Sequence, residues 1–173
     1  MKEIKIFARA GQGAITTAKI LGEALFYQGL YAYAFPHFGA ARMGAPMNAF
    51  LRFDKKPIRL RSQVYSPDYI IVIDPSLIAS QNVFEGMKEG GCAILAIREK
   101  TKILTPPQNI QVITLPAESI ATEIIGKPFS NTVLLGAFAK ATGEVELNSI
   151  LEIVKTKFSG KPGIMEKNLE AVK

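Results

Sequence analysis

Two periods of apolar residues run along this chain. Ile4-Lys5-Ile6-Phe7 lies inside a stretch, Glu3 to Ala8, that reads as a buried strand. From Ala14 to Gln28 the spacing changes to that of a helix: Ala14, Ala18, Leu21 and Leu25 recur on one stripe, with Gly22 beside them. Small residues on that stripe let a helix lie close to a sheet. Gly29 is a helix stop, and Tyr31 to Phe35 is a second strand ended by Pro36. Strand, helix and strand in this order predict a βαβ unit with parallel strands.

The loop PHFGAARMGAP follows, with two glycines, two prolines and no clear period. Loops of this length inside compact domains are often functional. Met47 to Phe53 and Ile58 to Arg61 then read as two strands of a hairpin around Asp54-Lys55-Lys56-Pro57. Alternation puts Ala49, Leu51 and Phe53 on one face and Arg52 on the other, where Arg59 and Arg61 are expected to join it. Tyr69 to Ile73, Cys92 to Ile97 and Val112 to Leu115 are further strands, the first an apolar run typical of a strand covered on both faces. Ala117 to Ile125 and Asn131 to Thr142 are helices, the second apolar nearly all round, with Asn131 as its cap and Gly143 as its stop. Leu147, Ile150, Leu151, Val154 and Phe158 form another helical stripe. With no repeat, low-complexity tract or linker, residues 1–173 read as a single α/β domain: three α/β/α layers, a mostly parallel sheet and a β-hairpin insertion.

Composition narrows the chemistry. The chain of 173 residues has one cysteine, Cys92, and one histidine, His37. One thiolate cannot hold an iron–sulfur cluster, a zinc-finger site or a disulfide. Lack of a disulfide framework, of a leader pattern and of a membrane-length apolar window reads as cytoplasmic. The net charge of +6 is uneven: Met1 to Ser62 holds ten Lys/Arg against three acids, a net of +7, and the remainder eleven against twelve, a net of −1. The basic third faces either solvent or something anionic. The charges are dispersed and no aromatic-plus-basic stretch accompanies them, so nucleic acid is not the expected partner.

The stretch ARAGQGAITTAKIL sits where a phosphate loop would. A dinucleotide fold needs a third small residue and a ribose-binding acid about 20 residues on. Thr16 stands in the first place, and Phe35-Pro36-His37 where the acid belongs. A P-loop lysine is also missing. The backbone chemistry remains: glycines permit a tight bend, and helix amides with Arg9 favour negative charge. The loop is either an anion-facing turn or a tight turn packed on a neighbour. Gln12 is free to bond a ligand or a partner backbone. Cys92 reads as a small core residue, Asp74 as a turn or cap acid, and His37 as a solvated or hydrogen-bonded loop residue. The Asn131–Thr142 helix is either core or a docking face.

Three motifs in order, ARAGQGAITTAKIL, AFPHFGAARMGAP and IRLRSQVYSPDYIIVID, with NTVLLGA and EKNLEAV further on, resemble the gamma subunit of pyruvate:ferredoxin oxidoreductase, within the 2-oxoacid:acceptor oxidoreductase family. The likeness spans nearly the whole chain. It implies a subunit of an enzyme that converts pyruvate, coenzyme A and oxidised ferredoxin to acetyl-CoA, carbon dioxide and reduced ferredoxin. It also implies that thiamine diphosphate, Mg and 4Fe–4S clusters sit on alpha, beta and delta partners and none on this chain. Ferredoxin or flavodoxin would be the acceptor.

The resemblance carries Arg9, Gly11, Gln12 and Gly13 over as one loop and Phe38, Gly39, Arg42 and Gly44 as a second. With Arg59, Arg61 and Asn131 they make a cofactor-facing or subunit-facing region with no catalytic residue. Both loops are expected to converge on one edge, toward coenzyme A or toward acids of a partner subunit. Where many relatives have glycine, this chain has Ala10, which requires a negative φ there. The lean among oxoacids is toward pyruvate. Two alternatives stay open: the same role for another 2-oxoacid, and a free-standing binder of an anionic nucleotide.

Overall fold

The apolar runs become a six-stranded sheet. The computed structural model describes residues 1–37, 43–97 and 106–173, so Phe38, Gly39 and Arg42 lie outside the described residues. The strands are β1 (Lys2–Arg9), β2 (Tyr31–His37), β3 (Pro46–Asp54), β4 (Tyr69–Val72), β5 (Cys92–Leu95) and β6 (Gln111–Thr114). The helices are α1 (Ala14–Tyr27), α2 (Ser76–Ser80), α3 (Ala117–Ile125), α4 (Asn131–Thr142), α5 (Leu147–Phe158) and α6 (Pro162–Val172).

The spatial order is β2-β3-β1-β4-β5-β6. The β1–β4, β4–β5 and β5–β6 pairs are parallel, while β3 is antiparallel to both β1 and β2. Every strand but β3 therefore runs the same way. β1 and β2 share a direction, as the βαβ spacing predicts, but β3 lies between them. Ile6 faces Ala49 across the β1–β3 ladder, and Phe35 faces Phe50 across β2–β3.

Three local expectations need correction. Ile58–Arg61 is not a strand. Both edges of β3 are taken by β1 and β2, so no edge remains for a 58–61 partner; the inserted antiparallel strand is β3 itself. Pro36 does not end β2 but lies within it, paired with Ala49. An outer strand tolerates a residue that donates no hydrogen bond. Asn131 is not the cap of α4: Ser130 holds that position, without a side-chain cap bond, and Gly143 stops the helix at φ 65°.

The larger core lies on one face of the sheet. Ile4, Ile6, Ala49, Leu51, Phe53 and Ile71 share one apolar cluster there with residues of α1 and α3–α6. Gly22 lets α1 approach closely: an added Cβ would sit 3.2 Å from Leu51 Cδ1. α4 is core, with Leu134, Leu135 and Phe138 fully buried. On the other face Phe7, Ile70, Val72, Ala93 and Leu95 pack under Leu77 and Ile78 of α2 and under Val83 and Phe84. Among the described residues that second layer is thin, one five-residue helix plus loops.

Candidate functional site

The chain leaves β1 at Arg9 and enters α1 at Ala14 through a turn that glycine makes affordable. Gly11 has φ 101° and Gly13 φ 83°, a region that strains any L side chain, while Ala10 keeps a negative φ. The first loop is joined to the end of the second: Ala10 N donates to Ala45 O at 2.9 Å, and Gly44 N, at φ 78°, donates to Ala10 O at 3.2 Å.

Gln12 is spent inside the protein. Its Oε1 accepts from Arg9 N at 2.7 Å, and its Nε2 donates to Asp74 Oδ2 at 2.7 Å. Asp74 follows β4, which pairs in parallel with β1, so the two strand ends deliver Gln12 and Asp74 side by side. Asp74 Oδ1 accepts from Ser76 N at 2.9 Å and from Ser76 Oγ at 2.6 Å. The Arg9 guanidinium lies 3.3 Å from Asp74 Oδ2 and donates to Ser76 Oγ and to Gly44 O. Burial pushes the Asp74 carboxyl up, but hydrogen bonds from Ser76 and Gln12 and the charge of Arg9 outweigh it, leaving the group below its ordinary range. Asp74 is thus a turn acid held as a carboxylate, not a proton acceptor in waiting.

Asn131 closes the loop from the other side. From the first turn of α4 its Nδ2 reaches Gln12 O at 2.9 Å, Thr17 Oγ1 at 2.9 Å and Gly13 O at 3.3 Å. Arg9, Gly11, Gln12, Gly13, Gly44 and Asn131 therefore meet at one end of the sheet, braced by Asp74, Ser76 and Thr17. Reading residues in isolation missed that brace. The clue was the parallel β1–β4 pairing, which sets the ends of two apolar strands next to each other.

Arg59 and Arg61 do not join this cluster. Arg52, expected to share a face with them, is 1% exposed. Its Nε donates to Glu3 Oε1 at 2.8 Å, and its terminal nitrogens donate to Ser62 O at 2.7 Å and Gln63 O at 3.0 Å. Glu3 lies six residues before Arg9 on β1, about 20 Å along a strand. Arg52 pins the 58–63 segment over the thin face of the sheet. Arg59 and Arg61 remain exposed on that segment, and the Arg61 guanidinium lies 4.2 Å from the Tyr33 ring centroid. His37 lies 3.0 Å, through Nδ1, from Gln63 Nε2.

The single thiol, Cys92, is buried in β5, and burial pushes it up. Among the described residues no group of three or more His, Cys, Asp or Glu side chains is placed to hold a metal ion. No described helix is long and apolar enough to cross a membrane.

A cluster of this kind positions a loop; its bearing on function comes from what the chain is similar to. The family model described as pyruvate ferredoxin/flavodoxin oxidoreductase matches residues 3–173. A Thermococcus litoralis protein, the common subunit gamma of pyruvate/ketoisovalerate oxidoreductases, is 46% identical, with 100% of this chain and 94% of that protein covered. Pyruvate synthase subunit PorC of Methanothermobacter marburgensis is likewise 46% identical, with 100% and 94% covered. Among solved structures, the pyruvate oxidoreductase subunit PORC of Thermotoga maritima superimposes with a TM-score of 0.83 at 33% identity, covering 99% of this chain and 93% of that one. This chain belongs to the pyruvate ferredoxin/flavodoxin oxidoreductase family.

Proposed function

We propose that this chain is the gamma subunit of a thiamine-diphosphate-dependent pyruvate:ferredoxin oxidoreductase, a single cytoplasmic domain supplying subunit contacts and a surface toward coenzyme A rather than catalytic groups. The observation that carries the reading is the end-to-end match to a gamma subunit at 46% identity. Thiamine diphosphate, Mg and 4Fe–4S clusters belong to alpha, beta and delta partners, and ferredoxin or flavodoxin takes the electrons. The chain's own residues do not fit a cluster, since its one cysteine is buried in β5. The relative's name spans two oxoacids, which supports placing oxoacid choice on other subunits.

The role of the chain's residues is then positional. Asp74, Gln12 and Asn131 fix the glycine loop and Arg9 is paired with Asp74, while Arg42 of the second loop supplies charge toward a polyanionic substrate. Tagging the chain in its native cells tests the assignment. Subunits bearing thiamine diphosphate and iron–sulfur clusters should co-purify, with ferredoxin reduction that needs both pyruvate and coenzyme A. Turnover by the lone chain, or recovery without such partners, would refute it. In the assembled enzyme Arg42→Glu should raise the KM for coenzyme A; an unchanged KM removes the second loop from that path.

A further inference from the structure

β2 is the outermost strand, and among the described residues nothing pairs with its outer side. Natural proteins blunt such edges with charge or cover. Tyr31-Ala32-Tyr33-Ala34-Phe35 carries no charge, and only Pro36 interrupts it near one end. On the helix side of this edge lies a groove of about 630 Å³ between α1, β2 and α5. Its floor is Gly22, Ala32 and Ala34, whose small size lets α1 lie directly on β2: the position of a Cβ on Gly22 lies 3.8 Å from the Cβ atoms of both alanines. Phe26 and Tyr27 stand at its rim, 69% and 65% exposed, with Ile153 opposite and the opposite charges of Lys19 and Glu23 on the same α1 wall. The other face of the same strand is basic. Arg61 stacks on Tyr33, and Arg59 is exposed on the same segment.

We infer that the β2 edge accepts an extended segment of another subunit, with apolar and acidic side chains in alternation. A strand added to a sheet edge bonds through its backbone and sends successive side chains to opposite faces. Here one set lies in the groove over Ala32 and Ala34, against Phe26 and Tyr27, and the other meets Arg59 and Arg61. Charge selects a partner over a second copy of this chain. Two-fold pairing of β2 with itself centred near Tyr33 would bring Arg61, which stacks on that ring, toward its own counterpart, and like charges facing across strands repel. That the segment belongs to a companion subunit rests on the gamma-subunit reading; the recognition chemistry rests on β2, the groove and the arginines.

Hydrogen exchange on the full chain, alone and within the complex purified from native cells, tests this. Amides of residues 31–35 should exchange at least about tenfold more slowly in the complex. Equal exchange in an active complex overturns the inference and leaves the gamma-subunit reading intact. Protection in the lone chain that grows with concentration, together with a doubled mass, assigns the edge to a second copy and also overturns it. A synthetic peptide alternating valine and glutamate should slow the same amides on the isolated chain, whereas its valine–lysine counterpart should not; equal effects, or none, count against it. If the chain enters no complex yet discriminates the two peptides, the gamma-subunit reading fails and the edge chemistry stands. Phe26→Ser, which removes an exposed side chain, and Arg61→Glu should each weaken the response to the acidic peptide.

Discussion

Replacing Gly13 with alanine makes two separate demands on the glycine loop. The residue sits at φ 83°, and an L side chain in the left-handed region costs about 1–2 kcal/mol. The new Cβ would also lie 2.8 Å from Asn131 Nδ2 and 3.3 Å from its Cγ, closer than carbon and nitrogen pack. Asn131 must then withdraw and release its bonds to Gln12 O and Thr17 Oγ1. Each is worth about 0.5–1.5 kcal/mol net, so the full cost of Gly13→Ala comes to about 2–5 kcal/mol. The two parts are separable. In an Asn131→Ala background the collision is gone and only the backbone strain of about 1–2 kcal/mol remains. Urea unfolding of the wild type, both single variants and the double variant gives the coupling between the two positions. The Gly13→Ala penalty should shrink by about 1–3 kcal/mol when Asn131 is absent. If it is the same in both backgrounds, Asn131 does not clasp the loop as described.

Other sites give independent checks. A Cβ on Gly136 would lie 1.8 Å from Val172 O, so Gly136→Ala should force the last turn of α6 off α4 and lower stability by about 1–3 kcal/mol despite better helix propensity. Gly163→Ala, with nothing within 4 Å, should raise the melting temperature slightly. Arg52→Met strands Glu3 and the Ser62 and Gln63 carbonyls, and should cost about 3–5 kcal/mol in chemical denaturation. The Asp74 carboxyl titrates lower folded than unfolded, so its contribution is complete above the ordinary aspartate value of about 3.9 and fades as pH falls through the lower folded value. The stability gap between wild type and Asp74→Asn should therefore narrow on acidification from pH about 5 to 3; a constant gap would contradict that sign.

Much of the element map could be read locally. The buried strand at residues 3–8, the alternation in β3 and the helical stripes of α1 and α5 all appear where the periods put them, because backbone geometry fixes which neighbours share a face. α6 was harder to read as an element of its own. It begins Pro162-Gly163 and buries only Asn168, Ala171 and Val172, so little periodic signal marks it; docking against α3, α4 and α5 brings it into the fold. At the site, the glycine turn was visible as a turn, and Asp74 as a turn acid. Their joining through Gln12 was not, since 62 residues separate the two.

Arg52 marks the boundary most clearly. Alternation alone assigns it to the face opposite Leu51, and it is there. Whether that face meets solvent or a covering segment depends on where residues 58–63 travel, and they travel over it because β1 and β2 occupy both edges of β3. Periodicity, charge and the glycine turn follow from covalent geometry and near neighbours, so the chain carries them openly. Strand order, the fate of each arginine and the brace around the glycine loop are long-range contacts chosen by burial and hydrogen-bond satisfaction, and those are settled when distant segments pack.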